Sequence, residues 1–188
     1  MSLSSYSIGE TCVLLTGFPF KSKYYLDDGK YKVVRGDNVK TGYIKWDDKK
    51  RCWNKLDEKL EKYILKDNDI VIGMDGSKVG DNRAIITKND LPALLAQRVA
   101  CLRAKEGFDQ NYIKYVILSS NFKSYVDKIK TGTSIPHISL SQIAEFTYEA
   151  SSLEKQKIIS NILLNIDEKV RVNEKINNNL LYYHLFKS

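Results

Sequence analysis

The sequence predicts an α+β fold, with a mixed α/β domain over residues 1–150 and one long helix over residues 151–188. Three observations predict it. Short Val-, Ile- and Tyr-rich runs broken by turn residues fill the stretch from residue 10 to 106. Helical 3–4 spacing takes over near Asp109. Beyond Ser151, neither Gly nor Pro occurs up to Ser188.

The apolar runs predict strands over 11–15, 31–34, 69–73, 83–86 and 98–102. Asp28-Gly29, Thr41-Gly42, Asp75-Gly76 and Val79-Gly80 mark the turns between them. Asp109 is placed to cap a helix with Tyr112, Tyr115 or Val116, and Ser119 on one face. Phe122, Tyr125, Val126 and Ile129 continue that spacing. A loop over 131–137 follows. Ser139 and Gln142 then have the spacing of a capping box for a short helix.

Ser151 and Glu154 form a second capping-box signature, opening the last element. Set in heptads, its a positions are Ile159, Ile166, Asn173 and Leu180, and its d positions are Ile162, Lys169, Ile176 and Tyr183. Leu163 and Val170 widen the stripe. Such a helix of about 33 residues would be roughly 50 Å long. A domain of this size cannot cover the whole stripe, so the helix is expected to need a partner helix, with Asn173 and Lys169 favouring one register. The alternative is a solvated helix with fraying ends.

Composition bounds the function. With 43% hydrophobic and 28% charged residues in a chain of 188, the composition is that of an ordinary soluble globular protein. No apolar run reaches the ~18–20 residues of a membrane span. The N-terminus lacks a basic stretch followed by an apolar core, so no secretory signal is expected and the cytoplasm is the expected compartment. Cys12, Cys52 and Cys101 are odd in number and far apart, which suits buried thiols rather than a disulfide framework or a zinc pair. The net charge of +7 suits a polyanion partner. Most of it lies between Lys21 and Lys66, where 14 basic residues face 8 acidic ones.

Motifs of catalysis are missing. The glycines from Gly73 to Gly80 lack both the dinucleotide-binding and the P-loop spacing, and read as tight turns. With only Pro19, Pro92 and Pro136, an Asn-Pro-Pro-Tyr-like adenine methyltransferase motif is absent. His137 and His184 have no second ligand at metal spacing. Catalytic and metal-binding residues are therefore both read as none. A divergent nuclease built on Asp and Glu is the enzymatic alternative. What stands out is a mix of basic and aromatic residues: Lys21, Lys23, Tyr24 and Tyr25, then Arg35, Asn38, Lys40, Tyr43, Lys45 and Trp46. Lys and Arg neutralise phosphates, and Arg and Asn can contact base edges. Trp46 and Trp53 read as packing anchors.

Landmarks carry a resemblance. They are Gly17-Phe-Pro-Phe-Lys-Ser22; Val34-Arg-Gly-Asp-Asn38 with Gly42; Asp67-Asn-Asp-Ile-Val-Ile-Gly-Met-Asp-Gly76 with Gly80; Leu95-Ala-Gln-Arg-Val99; and Gly132-Thr-Ser-Ile-Pro-His-Ile-Ser139. Leu153-Glu-Lys-Gln-Lys-Ile158, Ile162-Leu-Leu-Asn-Ile-Asp167 and Leu185-Phe-Lys-Ser188 follow on the long helix. In this order they resemble the specificity subunits of type I restriction-modification systems.

The resemblance implies a DNA target-recognition domain over 1–150 and a spacer and dimerisation helix over 151–188. Full-length members carry two such domains and two helices that pair as an antiparallel coiled coil. Each domain reads half of a split site. The helices dock methyltransferase subunits, and motor-nuclease subunits join for cleavage. S-adenosylmethionine, ATP and Mg²⁺ are used by those partners, and no cofactor is expected on this chain. One domain and one helix are present here, which suggests a homodimer in a single-domain, half-subunit form; a fragment of a longer product is the alternative. The chain also lacks the family's proline-rich lead before the helix, at Tyr148-Glu-Ala-Ser151. The expected role is non-catalytic DNA binding, against a stand-alone nucleic-acid-modifying enzyme or nuclease, or a coiled-coil adaptor. The expected DNA contacts are Lys21, Lys23, Arg35, Asn38, Lys45, Lys78, Arg83, Arg98, Lys130, Thr133 and His137, since turns and strand ends are where recognition residues project. The expected dimer contacts are Ile159, Ile162, Ile166, Asn173, Ile176 and Leu180.

Overall fold

A computed structural model describes residues 3–186 except 48, 133 and 134, with side chains of the last helix described through residue 179. In chain order the elements are β1 (Ser4–Ser7), α1 (Ile8–Thr11), β2 (Cys12–Thr16), β3 (Tyr31–Val34), β4 (Cys52–Trp53), α2 (Glu58–Glu61), β5 (Ile70–Gly73), β6 (Arg83–Ile85), β7 (Ala93–Leu95), β8 (Val99–Ala104), α3 (Gln110–Leu118), α4 (Ser120–Ile129), α5 (Leu140–Ala144), β9 (Thr147–Ala150) and α6 (Leu153–Phe186).

Alternation along the central strands sets the layers. Four antiparallel strands run in the order β2-β8-β5-β6. Ile70, Ile72, Ala100 and Leu102 face one side, where Ile113 and Ile117 of α3, Phe122 and Val126 of α4 and Ile143 of α5 cover them. Val71, Val99 and Cys101 point the other way, against Val34 and Leu95 of a second sheet. That sheet runs β4-β3-β7, with β3 and β7 parallel. Its far face carries Tyr31, Val33 and Leu94, covered by Phe20 and Leu60. Burial on both faces explains why β5 is an unbroken apolar run; each such side chain contributes about 1.5–3 kcal/mol. A two-stranded ribbon, β1 with β9, closes the head and delivers the chain to α6.

The α+β class and the long terminal helix are as the sequence predicts. Details differ for physical reasons. Asp109 does cap α3, accepting from Tyr112 N at 2.8 Å, but the buried face is Ile113 and Ile117. Tyr112, Tyr115 and Val116 are half-buried. Ser119 is a hinge: it ends α3 and caps α4, accepting from Phe122 N at 3.2 Å. The Ser139–Gln142 capping box is present. The helix α6 begins at Leu153, so Ser152 and not Ser151 stands at its cap position; the Ser151 carbonyl accepts from Gln156 Nε2 at 2.8 Å. All three cysteines are free and buried, and burial pushes the Cys12 thiol up to about 11. Trp46 donates to Asp90 at 2.7 Å and Trp53 packs edge-on against Phe20, as anchors do.

Candidate nucleic-acid interface

Five connections at the rim of the two larger sheets are laced into one surface by backbone hydrogen bonds. The turn after β2 joins the β7–β8 turn through Phe18 N to Leu95 O and Gln97 N to Phe18 O, both 2.9 Å. The end of β3 joins the same turn through Ala96 N to Val34 O at 2.9 Å. The end of β5 joins it through Met74 N to Arg98 O at 2.9 Å. It also joins the loop before α5, through Gly76 N to Pro136 O at 3.0 Å and Ile138 N to Met74 O at 2.9 Å. Gly17 is required for this lacing, because a Cβ there would lie 2.1 Å from the Ala96 carbonyl oxygen.

Two adjoining clefts open on this surface. One, of about 360 Å³, lies between Ser22, Tyr25, Arg35, Gln97 and Arg98. The other, of about 480 Å³, lies between Lys40, Ser77, Lys78, Asn82 and Ile135. Gly36, Asp37 and Asp75 line both. Four basic side chains (Arg35, Lys40, Lys78 and Arg98) outnumber the two acidic ones. Lys21 and Lys23 stand exposed on either side of Ser22.

Each expected contact has a definite place. Arg35 is half-buried, donates to the Lys49 carbonyl at 2.6 Å and lies over the Tyr25 ring. Lys23 lies over the Tyr24 ring. Lys78 is exposed at the second cleft, and Arg98 is exposed at the first. His137 bridges Asp75 by its backbone, and its Nε2 lies 3.0 Å from Thr131 Oγ1. Lys45 is exposed and pairs with Asp47 at 2.7 Å, holding that carboxyl down to about 2 through their hydrogen bond. Lys130 pairs with Asp127 at 2.8 Å. Thr133 lies outside the described residues.

Two expectations need correction. Asn38 is fully buried; it accepts from Arg35 N at 3.2 Å and donates to the Lys45 carbonyl at 3.1 Å, so it shapes the turn and reaches no ligand. Arg83 is 5% exposed, and its Nη1 donates to the carbonyls of Ile117 and Ser119. It ties the end of α3 to β6, and its burial lowers the guanidinium pKa. Both residue types suit base recognition, but here their polar atoms are used by the fold. The sequence reading missed Ser22, Asp75, Ser77, Asn82 and Gln97. Asp75 and Gln97 sit inside quoted landmarks, so adjacency to Gly76 and Arg98 was the available signal.

The helix α6 presents two faces. Gln156 and Ser160 are each 1% exposed against the head, with Leu163 half-buried beside them. Asp167 accepts from Tyr115 Oη at 2.6 Å and pairs with Lys114 at 3.3 Å. Leu163 therefore lines the head, not the free stripe as expected. Ile159 (41%), Ile162 (55%), Ile166 (51%) and Ile176 (50%) are exposed, as is Asn173. The Leu180 side chain lies outside the described set. Among the described residues no cluster of His, Cys, Asp or Glu could hold a metal ion, and no helix is long and apolar enough to cross a membrane.

Basic and amide side chains on turns, standing over a rigid double sheet, define a recognition module. An apolar helix face lies uncovered beside it. The family model of the type I restriction modification DNA specificity domain matches residues 3–182, and the chain belongs to that family. It is 32% identical over 174 residues to the type I restriction enzyme EcoAI specificity subunit of Escherichia coli, an alignment covering 90% of this chain and 28% of that one. It is 28% identical over 169 residues to the MjaVIII specificity subunit of Methanocaldococcus jannaschii, covering 88% and 40%. The chain thus spans less than half of either relative. The fold is similar to that of the type I restriction-modification S subunit from M. genitalium, with a TM-score of 0.64 at 18% identity, covering 97% of this chain and 46% of that one.

Proposed function

We propose that this chain reads one half of a bipartite DNA site and, through α6, pairs with a second copy to rebuild a two-domain specificity subunit. The observation that carries the reading is the convergence of all five turn landmarks on one open, basic surface, with the apolar stripe of α6 left free. Lys21, Lys23, Arg35, Lys78 and Arg98 supply the contacts, with Lys45, Lys130 and His137 at the margins. Lysines provide salt-dependent phosphate affinity, and the fixed turns provide sequence choice.

In this role the chain performs no chemistry. Methyltransferase subunits dock on it and use S-adenosylmethionine; motor-nuclease subunits join and use ATP and Mg²⁺. The cytoplasm is the compartment in which such a complex meets DNA. A gel-shift titration of the purified chain against random duplexes at two salt concentrations tests the reading. Binding that weakens steeply with salt is expected. No binding at low salt overturns it. Cleavage or methylation of DNA by the chain alone would place it among the enzymes instead.

A further inference from the structure

Arg98 is held in an unusual way. It stands in the β7–β8 turn with φ +65°, a backbone region that non-glycine residues rarely occupy. Two successive residues grip it there. Met74 N donates to the Arg98 carbonyl at 2.9 Å, and the Asp75 carboxylate accepts from Arg98 Nη1 at 3.0 Å. Nevertheless the Arg98 side chain is 68% exposed, while that of Asp75 is 24% exposed. The guanidinium carries five N–H donors. One is engaged by Asp75, and the exposed guanidinium lines the open cleft together with Gln97 and Ser22.

An acid at this place is informative. Asp75 lines both clefts, on the surface that would face a polyanion. For phosphate binding alone its charge is unfavourable, and a freely swinging Arg98 would serve as well. A carboxylate that fixes the plane of an exposed guanidinium suits a contact with strict directional demands. Bidentate pairing with guanine O6 and N7 in the major groove is such a contact. The backbone strain at Arg98 points the same way, since strained residues persist where surrounding structure holds them for use.

We propose that Arg98 reads a guanine in each half-site and that Asp75 is its positioning residue. The proposal rests on the DNA-reading role given above. The test is selection from a pool of duplexes with a randomised centre, followed by sequencing, for the full chain and its Asp75→Asn, Arg98→Ala and Arg98→Lys variants. Affinity for the unselected pool and thermal melting are measured alongside. The wild type is expected to enrich a motif containing guanine. Arg98→Ala and Arg98→Lys lose preference at one guanine by roughly tenfold to hundredfold and keep the remaining positions. Asp75→Asn relaxes that same position alone, while its affinity for the unselected pool stays level or rises because an acid has left the surface.

Full guanine preference in Asp75→Asn overturns the positioning role, as does relaxation of every position together. Should Asp75→Asn fail to fold, Arg98→Lys decides, because it keeps the charge and loses the fork; retained preference there overturns the proposal. A wild-type motif insensitive to Arg98 overturns only this pair. A wild type that enriches no sequence overturns the DNA-reading role itself and this inference with it.

Discussion

Replacing Ile162 and Ile166 with Asp is expected to hold the chain as a monomer. The two side chains are 55% and 51% exposed on the free face of α6. Full burial of such a residue is worth about 1.5–3 kcal/mol, so covering the remaining half is worth about 1 kcal/mol each. A two-fold pair counts every position twice. The double substitution therefore removes four apolar contacts, about 4 kcal/mol, and places four carboxylates in the seam. That corresponds to a dissociation constant weakened at least about a thousandfold. Asn178 supplies the control: it is exposed and sits about 160° around the helix from both Ile162 and Ile176. Asn178→Asp is expected to leave pairing intact. Sedimentation velocity over a micromolar concentration series measures all three proteins. A wild type that stays monomeric, or a double variant that sediments with it as a dimer, refutes the reasoning.

Three further outcomes follow from individual contacts. Arg83→Ala leaves the Ile117 and Ser119 carbonyls without their donor, and is expected to cost about 3 kcal/mol, or roughly 6–12 °C in melting temperature, with DNA sequence preference unchanged. Lys21→Ala and Lys23→Ala are expected to weaken binding to all sequences alike and to lower the salt slope by about one each, measured by fluorescence anisotropy at several salt concentrations. Hydrogen bonds from Lys123 and then Lys130 hold the Asp127 carboxyl below its ordinary 3.8. A depressed carboxylate stabilises the fold above its unfolded pKa, and that contribution disappears as pH falls through the folded value. Its loss is thus confined below about pH 4. A carboxyl NMR titration should place Asp127 below 3.8 in the wild type and higher in Lys123→Ala.

Much of the architecture was legible because two signals are local. Unbroken apolar runs such as Ile70–Gly73 mark strands buried on both faces, and the 3–4 spacing of 159, 162 and 166 marks a helix. The short elements were not legible. The strand β4 has two residues and β7 three; their pairing with β3 brings together residues 20 to 61 positions apart, which no local pattern encodes. The site was legible as a set of landmarks, but not side chain by side chain. Asn38 and Arg83 have the right chemistry for DNA and sit near turns. Only the fold reveals that Asn38 closes its own turn and that Arg83 secures α3. Conversely Asp75 has the wrong charge for a DNA surface, and its place beside Arg98 depends on the packing of β5 against β8.

The helix α3 joins the sheets that carry the clefts to the helix that carries the apolar stripe. Its inner face, Ile113 and Ile117, is locked into the core beneath the four-stranded sheet, and Arg83 ties its C-terminus to β6. On its outer side Asp109 N donates to Gln156 Oε1 at 3.0 Å, and Tyr115 and Lys114 both reach Asp167. Gln156 and Asp167 are three turns apart on α6, so the helix is held at two points and its direction relative to the head is set. The clefts and the apolar stripe therefore belong to one rigid frame. In the proposed dimer, pairing two stripes fixes the distance between two reading surfaces without any further contact between the heads. On this construction the spacing of a split site is a property of the helix, and the bases read are a property of the turns. On the proposed reading the two can change independently, because Ile162 and Ile166, proposed for pairing, lie on α6, and Arg98 and Asp75, proposed for base reading, lie on the turns of the sheets.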